Sequence, residues 1–203
     1  MCGIFGAIGK HIDMDILQEI ATEARKRGPQ AYGISWLSND SICQQKSATA
    51  INPKKAFQGI QTTGIIGNCR LSTSGTYKDI ANNQPIVLDD LAISHNGNVK
   101  SYLQIAYQLG VELHTKCDSE IICHLISRFG VKGSLEKLKK EMPMALLLLQ
   151  DNKITAFRKG QPLYAYNAGD CFYFCSRKFQ AAEMVDEGRI IVFDAEGGRN
   201  VCK

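Results

Sequence analysis

A chain of 203 residues with 44% hydrophobic and 22% charged side chains is long enough to bury one substantial core, and its composition excludes a disordered or fibrous polymer. The formal charge of +4 is scattered (Lys54 with Lys55, Lys137 with Lys139 and Lys140), which argues against the continuous basic footprint of a nucleic-acid binder. No apolar run approaches the roughly 20 residues that span a bilayer, and no basic flank precedes a long apolar stretch at the start, so a cytoplasmic protein with no nucleic-acid or membrane partner is expected.

In chain order, Gly3 to Ile8 is short, apolar and β-branched, as a buried strand requires. Met14, Leu17, Ile20, Ala21 and Ala24 recur at helical spacing, and that helix ends before the Gly28-Pro29 breaker. Strands are expected at Ala31 to Leu37, Ser41 to Ser47, Gly64 to Cys69 and Leu91 to Ser94. A helix follows from about Val99 to Leu109, closed by Gly110. A second starts at Asp118 as N-cap, buries Ile121, Ile122, Leu125 and Phe129, and stops at Gly130; a third runs from about Ser134 to Pro143. Met144 to Leu149 and Lys153 to Arg158 flank the turn pair Asp151-Asn152 as a hairpin, and further strands lie near Cys171 to Cys175 and Ile190 to Phe193. Helices and strands are segregated rather than alternating, so the expected class is α+β, with antiparallel sheets and helices packed outside them. Without a repeat or linker, residues 1–203 read as one domain with no synthase segment attached.

The eight cysteines carry no secretory leader and no paired C-x-x-C spacing, which points to reduced thiols and to no metal; no cofactor is called for. One of them directly follows the initiator methionine, and methionine is removed ahead of small residues such as cysteine. A free α-amine on Cys2 would have a pKa near 8, far below that of lysine, so it could accept a proton at neutral pH. Thiol nucleophile and general base would then share one residue.

Further segments stand in order along the chain: Cys2-Gly3-Ile4-Phe5-Gly6, Arg27-Gly28-Pro29-Gln30-Ala31-Tyr32-Gly33, Gly67-Asn68-Cys69-Arg70-Leu71-Ser72-Thr73-Ser74-Gly75, Asn83-Gln84-Pro85, His95-Asn96-Gly97-Asn98 and Asp118-Ser119-Glu120. Together they resemble the class II, N-terminal-nucleophile glutamine amidotransferases, in particular the glutaminase domains of glutamine phosphoribosylpyrophosphate amidotransferase and glucosamine-6-phosphate synthase. The resemblance implies an αββα sandwich of two stacked, mainly antiparallel sheets with helices on the outer faces. It implies that Cys2 attacks the side-chain amide of glutamine through a thioester, with the Asn96 side chain and the Gly97 N–H as oxyanion donors. Arg70 and Thr73 would hold the substrate carboxylate and Asp118 its ammonium, with Arg27 and Gly28 bordering the pocket. The released ammonia would pass to a separate synthase.

Each residue also has a plainer reading: Asn96-Gly97 as a hairpin turn, Asp118 as a helix cap, Ser74 to Pro85 as a surface loop instead of a lid closing on glutamine. Gln30, Asn68, Leu71 and Cys117 depart from the family pattern, which has an acidic residue, histidine, an aromatic and threonine there. Other functions to weigh are an N-terminal-nucleophile amidohydrolase acting on another amide, and a silent domain that binds glutamine or a partner.

Overall fold

The computed structural model describes residues 2–39 and 41–202. From the N-terminus, β1 (Gly3–Gly9) leads into α1 (Met14–Arg25), then β2 (Ala31–Ser38), β3 (Ser41–Ser47), a single turn α2 (Pro53–Ala56) and β4 (Gly64–Arg70). The short β5 (Ile86–Leu88) and β6 (Leu91–Asn96) precede α3 (Tyr102–Leu109) and α4 (Glu120–Lys137). The chain closes with β7 (Met144–Gln150), β8 (Lys153–Lys159), β9 (Tyr164–Asn167), β10 (Cys171–Cys175), β11 (Glu183–Met184), β12 (Ile190–Asp194) and β13 (Arg199–Cys202).

These strands form two sheets, in the orders β11-β9-β10-β1-β4-β2-β3 and β13-β12-β8-β7-β6-β5, with every paired strand antiparallel. Side-chain alternation along a strand decides what each face meets. On β1, Ile4 and Ile8 join Ile66, Ala92, Ala145, Leu147, Leu149, Phe172, Phe174 and Phe193 in a core between the sheets. The alternate residues Phe5 and Ala7 turn outward, onto Leu17, Ile20, Ala21 and Ala24 of α1. On the far side, Ile93, Leu146 and Leu148 pack beneath Ile121, Ile122 and Leu125 of α4 and Ala106 of α3. The result is the αββα sandwich, and each fully buried Leu or Ile contributes on the order of 1.5–3 kcal/mol. No described helix is long and apolar enough to cross a membrane.

The local chemistry explains the boundaries. Asp13 caps α1 by accepting hydrogen bonds from the N–H groups of Asp15 (2.8 Å) and Ile16 (3.3 Å). Asp151 and Asn152 both take positive φ (50° and 55°), as a two-residue turn between β7 and β8 demands. Gly130 (φ 67°, ψ 174°) interrupts α4 where expected, but helical turns resume directly after it, ahead of Ser134.

Three local readings are corrected, the first being Phe129, which is 38% exposed and not buried with Ile121, Ile122 and Leu125. Asn96-Gly97 makes no hairpin: Asn96 ends β6 and the chain passes through a short loop into α3. Asp118 does not cap α4, because its carboxylate is taken up by Val99 and Ser74. The short β5, β9, β11 and β13 and the turn α2 lay within segments given no element from sequence.

Candidate active site

Cys2 stands directly ahead of β1, a strand flanked by β10 and β4 in the interior of its sheet, so its position is fixed by ladders on both sides. It keeps the parity of Ile4 and thus faces the space between the sheets. Its thiol donates to the Leu71 carbonyl at 3.5 Å, and its own carbonyl accepts from Arg27 Nε at 3.0 Å. Arg27 Nη1 reaches the Ser176 carbonyl at 3.5 Å, while Ser176 exchanges hydrogen bonds with Ile4 at 3.1 and 2.9 Å. The nucleophile is therefore clamped from two directions. Burial pushes the Cys2 thiol up from its ordinary range; the Leu71 hydrogen bond and the Arg70 charge oppose that, and Asp118 adds to it.

Gly28 makes this clamp possible. A Cβ there would sit 1.9 Å from the Cys69 carbonyl oxygen, so only glycine lets the 26–28 loop lie against the end of β4.

The other half of the site comes from the second sheet. Asn96, 1% exposed, terminates β6 opposite Ala145. Its Nδ2 donates to Gln161 Oε1 at 3.3 Å. Cys2, Thr73, Asn96, Gly97 and Gln161 share a cavity of about 270 Å³, lined also by Lys100, Glu141, Met142 and Pro143. That volume suits a small metabolite. A wider depression of about 1320 Å³ lies around Lys10 and Asp151, at the opposite end of β1 from Cys2 and away from this chemistry.

Beneath Gly97 lies the ring of His95: a Cβ on Gly97 would come within 2.4 Å of His95 Nε2. The His95 Nδ1 pairs with Ser119 Oγ at 2.9 Å, the His95 backbone N–H donates to Gln84 Oε1 at 2.6 Å, and Gln84 Nε2 donates to Ser119 Oγ at 2.9 Å. Burial lowers the pKa of the ring, and the Asp118 charge opposes that shift. Three of the motifs singled out in sequence, those ending in Pro85, beginning at His95 and beginning at Asp118, thus meet in one buried knot.

Arg70 and Asp118 do not line the cavity wall; they stand behind it, joined by Ser74. Arg70, 3% exposed, donates from Nη2 to the carbonyls of Ser74 and Gly75 (the latter at 3.3 Å), and its buried Nη1 finds no partner among the described residues. Ser74 Oγ donates to Asp118 Oδ1 at 2.8 Å, and Asp118 Oδ2 accepts the Val99 N–H at 2.6 Å. Ser74 and Gln161 are not among the site residues expected from sequence: Ser74 stands there at the end of a motif and the start of a loop, and Gln161 has no local feature that marks it.

The departures from the family pattern fit their surroundings. Gln30 Oε1 accepts the Ser72 N–H at 2.8 Å, so an amide here holds the same loop. Leu71 meets the thiol through its backbone, independent of side chain. Asn68 Nδ2 reaches the His95 carbonyl at 3.4 Å, linking the two sheets, and Cys117 is buried beside Asp118. The 74–85 segment is anchored at its far end: Asn82, Asn83 and Gln84 are buried, Asn82 Oδ1 accepts the Lys116 N–H at 2.7 Å, and Asn83 Nδ2 donates to the Tyr77 carbonyl at 2.9 Å.

A cysteine at the head of an interior strand, facing an Asn-Gly pair across two stacked antiparallel sheets, defines an N-terminal-nucleophile fold of the class II amidotransferase type. Residues 68–181, more than half of the chain, match the family described as glutamine amidotransferase domain, and the chain belongs to that family. It is 27% identical over 202 residues to glutamine–fructose-6-phosphate aminotransferase (isomerizing) of Bartonella henselae, covering 92% of this chain and 33% of the relative. It is also 27% identical over 201 residues to the amidophosphoribosyltransferase of Archaeoglobus fulgidus, covering 87% of this chain and 43% of that one. The chain therefore spans about a third to under a half of these relatives. Among solved structures, glutamine phosphoribosylpyrophosphate amidotransferase from B. subtilis, complexed with ADP and GMP, shares the fold with a TM-score of 0.77 at 22% identity, over 100% of this chain and 49% of that one. A glutamine aminotransferase class-II domain protein from Silicibacter pomeroyi does so with a TM-score of 0.71 at 12% identity, over 98% and 99% of the two chains.

Proposed function

We propose that this domain hydrolyses free glutamine to glutamate and ammonia through Cys2 and delivers the ammonia to a synthase on a separate chain. The observation that carries this reading is the convergence of Cys2 and Asn96, from different sheets, on one small cavity backed by a buried guanidinium with an unused donor.

Removal of Met1 frees the Cys2 α-amine, which takes the thiol proton as sulfur bonds to the amide carbon of glutamine. The carbonyl π electrons move to oxygen, and that oxyanion accepts from Asn96 Nδ2 and the Gly97 N–H; such donors each account for a few kcal/mol of barrier. Collapse of the intermediate breaks the C–N bond, the ammonium form of the α-amine returns its proton to the leaving nitrogen, and ammonia departs from a thioester. Water then attacks the thioester carbon, giving up a proton to the α-amine, and glutamate leaves as the thiol re-forms.

Specificity for the amino-acid end follows from charge once the Ser74–Gly75 turn shifts to open the cavity toward the groups behind it. Arg70 Nη1 is then a buried donor for the substrate carboxylate, Thr73 lines the cavity, and Asp118 supplies an anion for the ammonium. Arg27 and Gly28 act by holding Cys2. No step calls for a metal or cofactor. The eight free thiols suit a cytoplasmic location, and the domain as a whole, residues 1–203, is read as the glutaminase unit.

The test is an intact mass to establish loss of Met1, followed by glutamate release from glutamine by the wild type and by Cys2→Ala. Turnover that vanishes in the variant supports the reading. A processed wild type that stays inert with glutamine, alone and with candidate synthases, refutes it.

A further inference from the structure

An amide is an ambiguous oxyanion donor, because rotation by half a turn about its last bond replaces the NH₂ group with an oxygen that would repel the charge it should stabilise. Asn96 needs something to fix its sense. We infer that Gln161 is the positioning residue that does so; this deepens the glutaminase reading and rests on it.

The argument starts from the sheet. Asn96, Ala145 and Arg158 stand abreast on β6, β7 and β8 as direct cross-strand partners, so their side chains share the inner face. The residue between them in the register is Ala145, whose side chain is a single methyl group. Arg158 is held firmly: Nε donates to the Val185 carbonyl at 2.6 Å and Nη2 pairs with Glu187 at 3.3 Å. Its Nη1 reaches the Gln161 carbonyl at 3.4 Å, and the Glu187 carboxylate also accepts the Gly160 N–H at 2.9 Å. Gly160 turns at φ 70°, which folds the chain after β8 back across the end of the sheet.

That turn carries Gln161, 8% exposed, over the Ala145 position to Asn96. There Gln161 Oε1 accepts one hydrogen of Asn96 Nδ2, at 3.3 Å. Nδ2 has two hydrogens. With one engaged, the second is aimed away from Gln161, within the cavity that Asn96 and Gln161 share with Cys2. With the Gln161 amide in the sense seen here, the flipped Asn96 amide would set Oδ1 against Gln161 Oε1, oxygen to oxygen, so the acceptor selects the productive rotamer. Gln161 itself touches no reacting atom in this scheme.

The experiment is a double-mutant cycle on the processed protein with Gln161→Leu, Asn96→Ala and the combination. Gln161→Leu is expected to lower kcat for glutamine about tenfold, with KM within about twofold, below the roughly 10²–10³ loss from deleting an oxyanion donor outright. In the Asn96→Ala background the second substitution should change kcat by less than twofold, since nothing remains to be oriented. Circular dichroism and the rate of Cys2 alkylation by iodoacetamide should match the wild type in Gln161→Leu. Unchanged kinetics in Gln161→Leu beside an active wild type, or equal losses in both backgrounds, would overturn the role of Gln161 while leaving glutamine hydrolysis standing. An inert processed wild type would bring down the parent reading, and this role with it.

Discussion

Replacing Gly28 with alanine should damage both stability and the nucleophile, although residue 28 lies outside the cavity. The added Cβ would stand 1.9 Å from the Cys69 carbonyl oxygen, 2.4 Å from its carbon and 2.7 Å from the Arg70 carbonyl carbon. All three are backbone atoms of β4, which is laddered to β1 on one side and β2 on the other, so no side chain can rotate away. Relief requires the 26–28 loop to lift by more than an ångström. Overpacking costs about 1–3 kcal/mol where some relaxation is possible, and this site belongs at the upper end. For a domain of this size about 3 kcal/mol lowers Tm by roughly 6–12 °C. Lifting the loop also draws Arg27 Nε from the Cys2 carbonyl, so Cys2 should alkylate at an altered rate even at temperatures where the variant is fully folded. Thermal unfolding followed by circular dichroism, with iodoacetamide labelling in parallel, gives both readings. A Tm within 2 °C of wild type and unchanged labelling would refute the claim that close backbone approach at Gly28 sets the nucleophile.

Arg70→Lys should raise KM for glutamine by about tenfold or more while kcat falls less than threefold, because an ammonium cannot serve the Ser74 and Gly75 carbonyls and a carboxylate together; steady-state kinetics decide it. The Cys2 thiol, pushed up by burial, should alkylate faster as pH rises from 7 to 9, with a steeper rise than that of an unburied thiol in the urea-unfolded chain; a flat profile would contradict the burial argument. Lys46 offers a stability test with a definite sign. Burial lowers its pKa to about 8, below the roughly 10.4 of the unfolded chain, so the folded state penalises the charged form fully below pH 8 and not at all above about pH 10.4. Between those limits the unfolded chain binds the extra proton, and stability contributed at this position rises with pH by up to roughly 3 kcal/mol. Buried thiols act oppositely over the same range, so the quantity to measure is the difference between wild type and Lys46→Met in urea denaturation at pH 7.5 and pH 10. That difference should shift toward the wild type at the higher pH.

Much of this architecture follows from patterns visible along the chain. Periodicity located α1, and the alternation of apolar residues located the long strands, because their faces meet different layers and the sequence must record that. Parity goes further: Cys2 with Ile4, Arg70 with Ile66, and Asn96 with Ala92 all carry the residue spacing of the inward face, which is why they converge. What escaped were elements whose pairing depends on distant partners. Strand β11, two residues long, exists only through β9, and β13, with exposed residues on both faces, reads as coil. Asp118 carried the expected cap signal yet reached sideways to Val99 and Ser74, a choice settled by the loop it faces and not by its own neighbours. Gln161 offered no signal at all, since its link to Asn96 spans 65 positions and depends on a turn after β8.

The placement of Cys2 on one sheet and Asn96 on the other means that secondary structure alone never assembles the pocket. A compact intermediate with both ladders formed but a loose, fluctuating interior would give a near-native far-ultraviolet spectrum and still fail to bring sulfur and amide face to face. Reactivity at the terminus, followed during refolding, would time the moment when the inner aromatic and aliphatic layer of Phe174, Phe193 and Leu147 locks, acting as a built-in clock for tertiary consolidation.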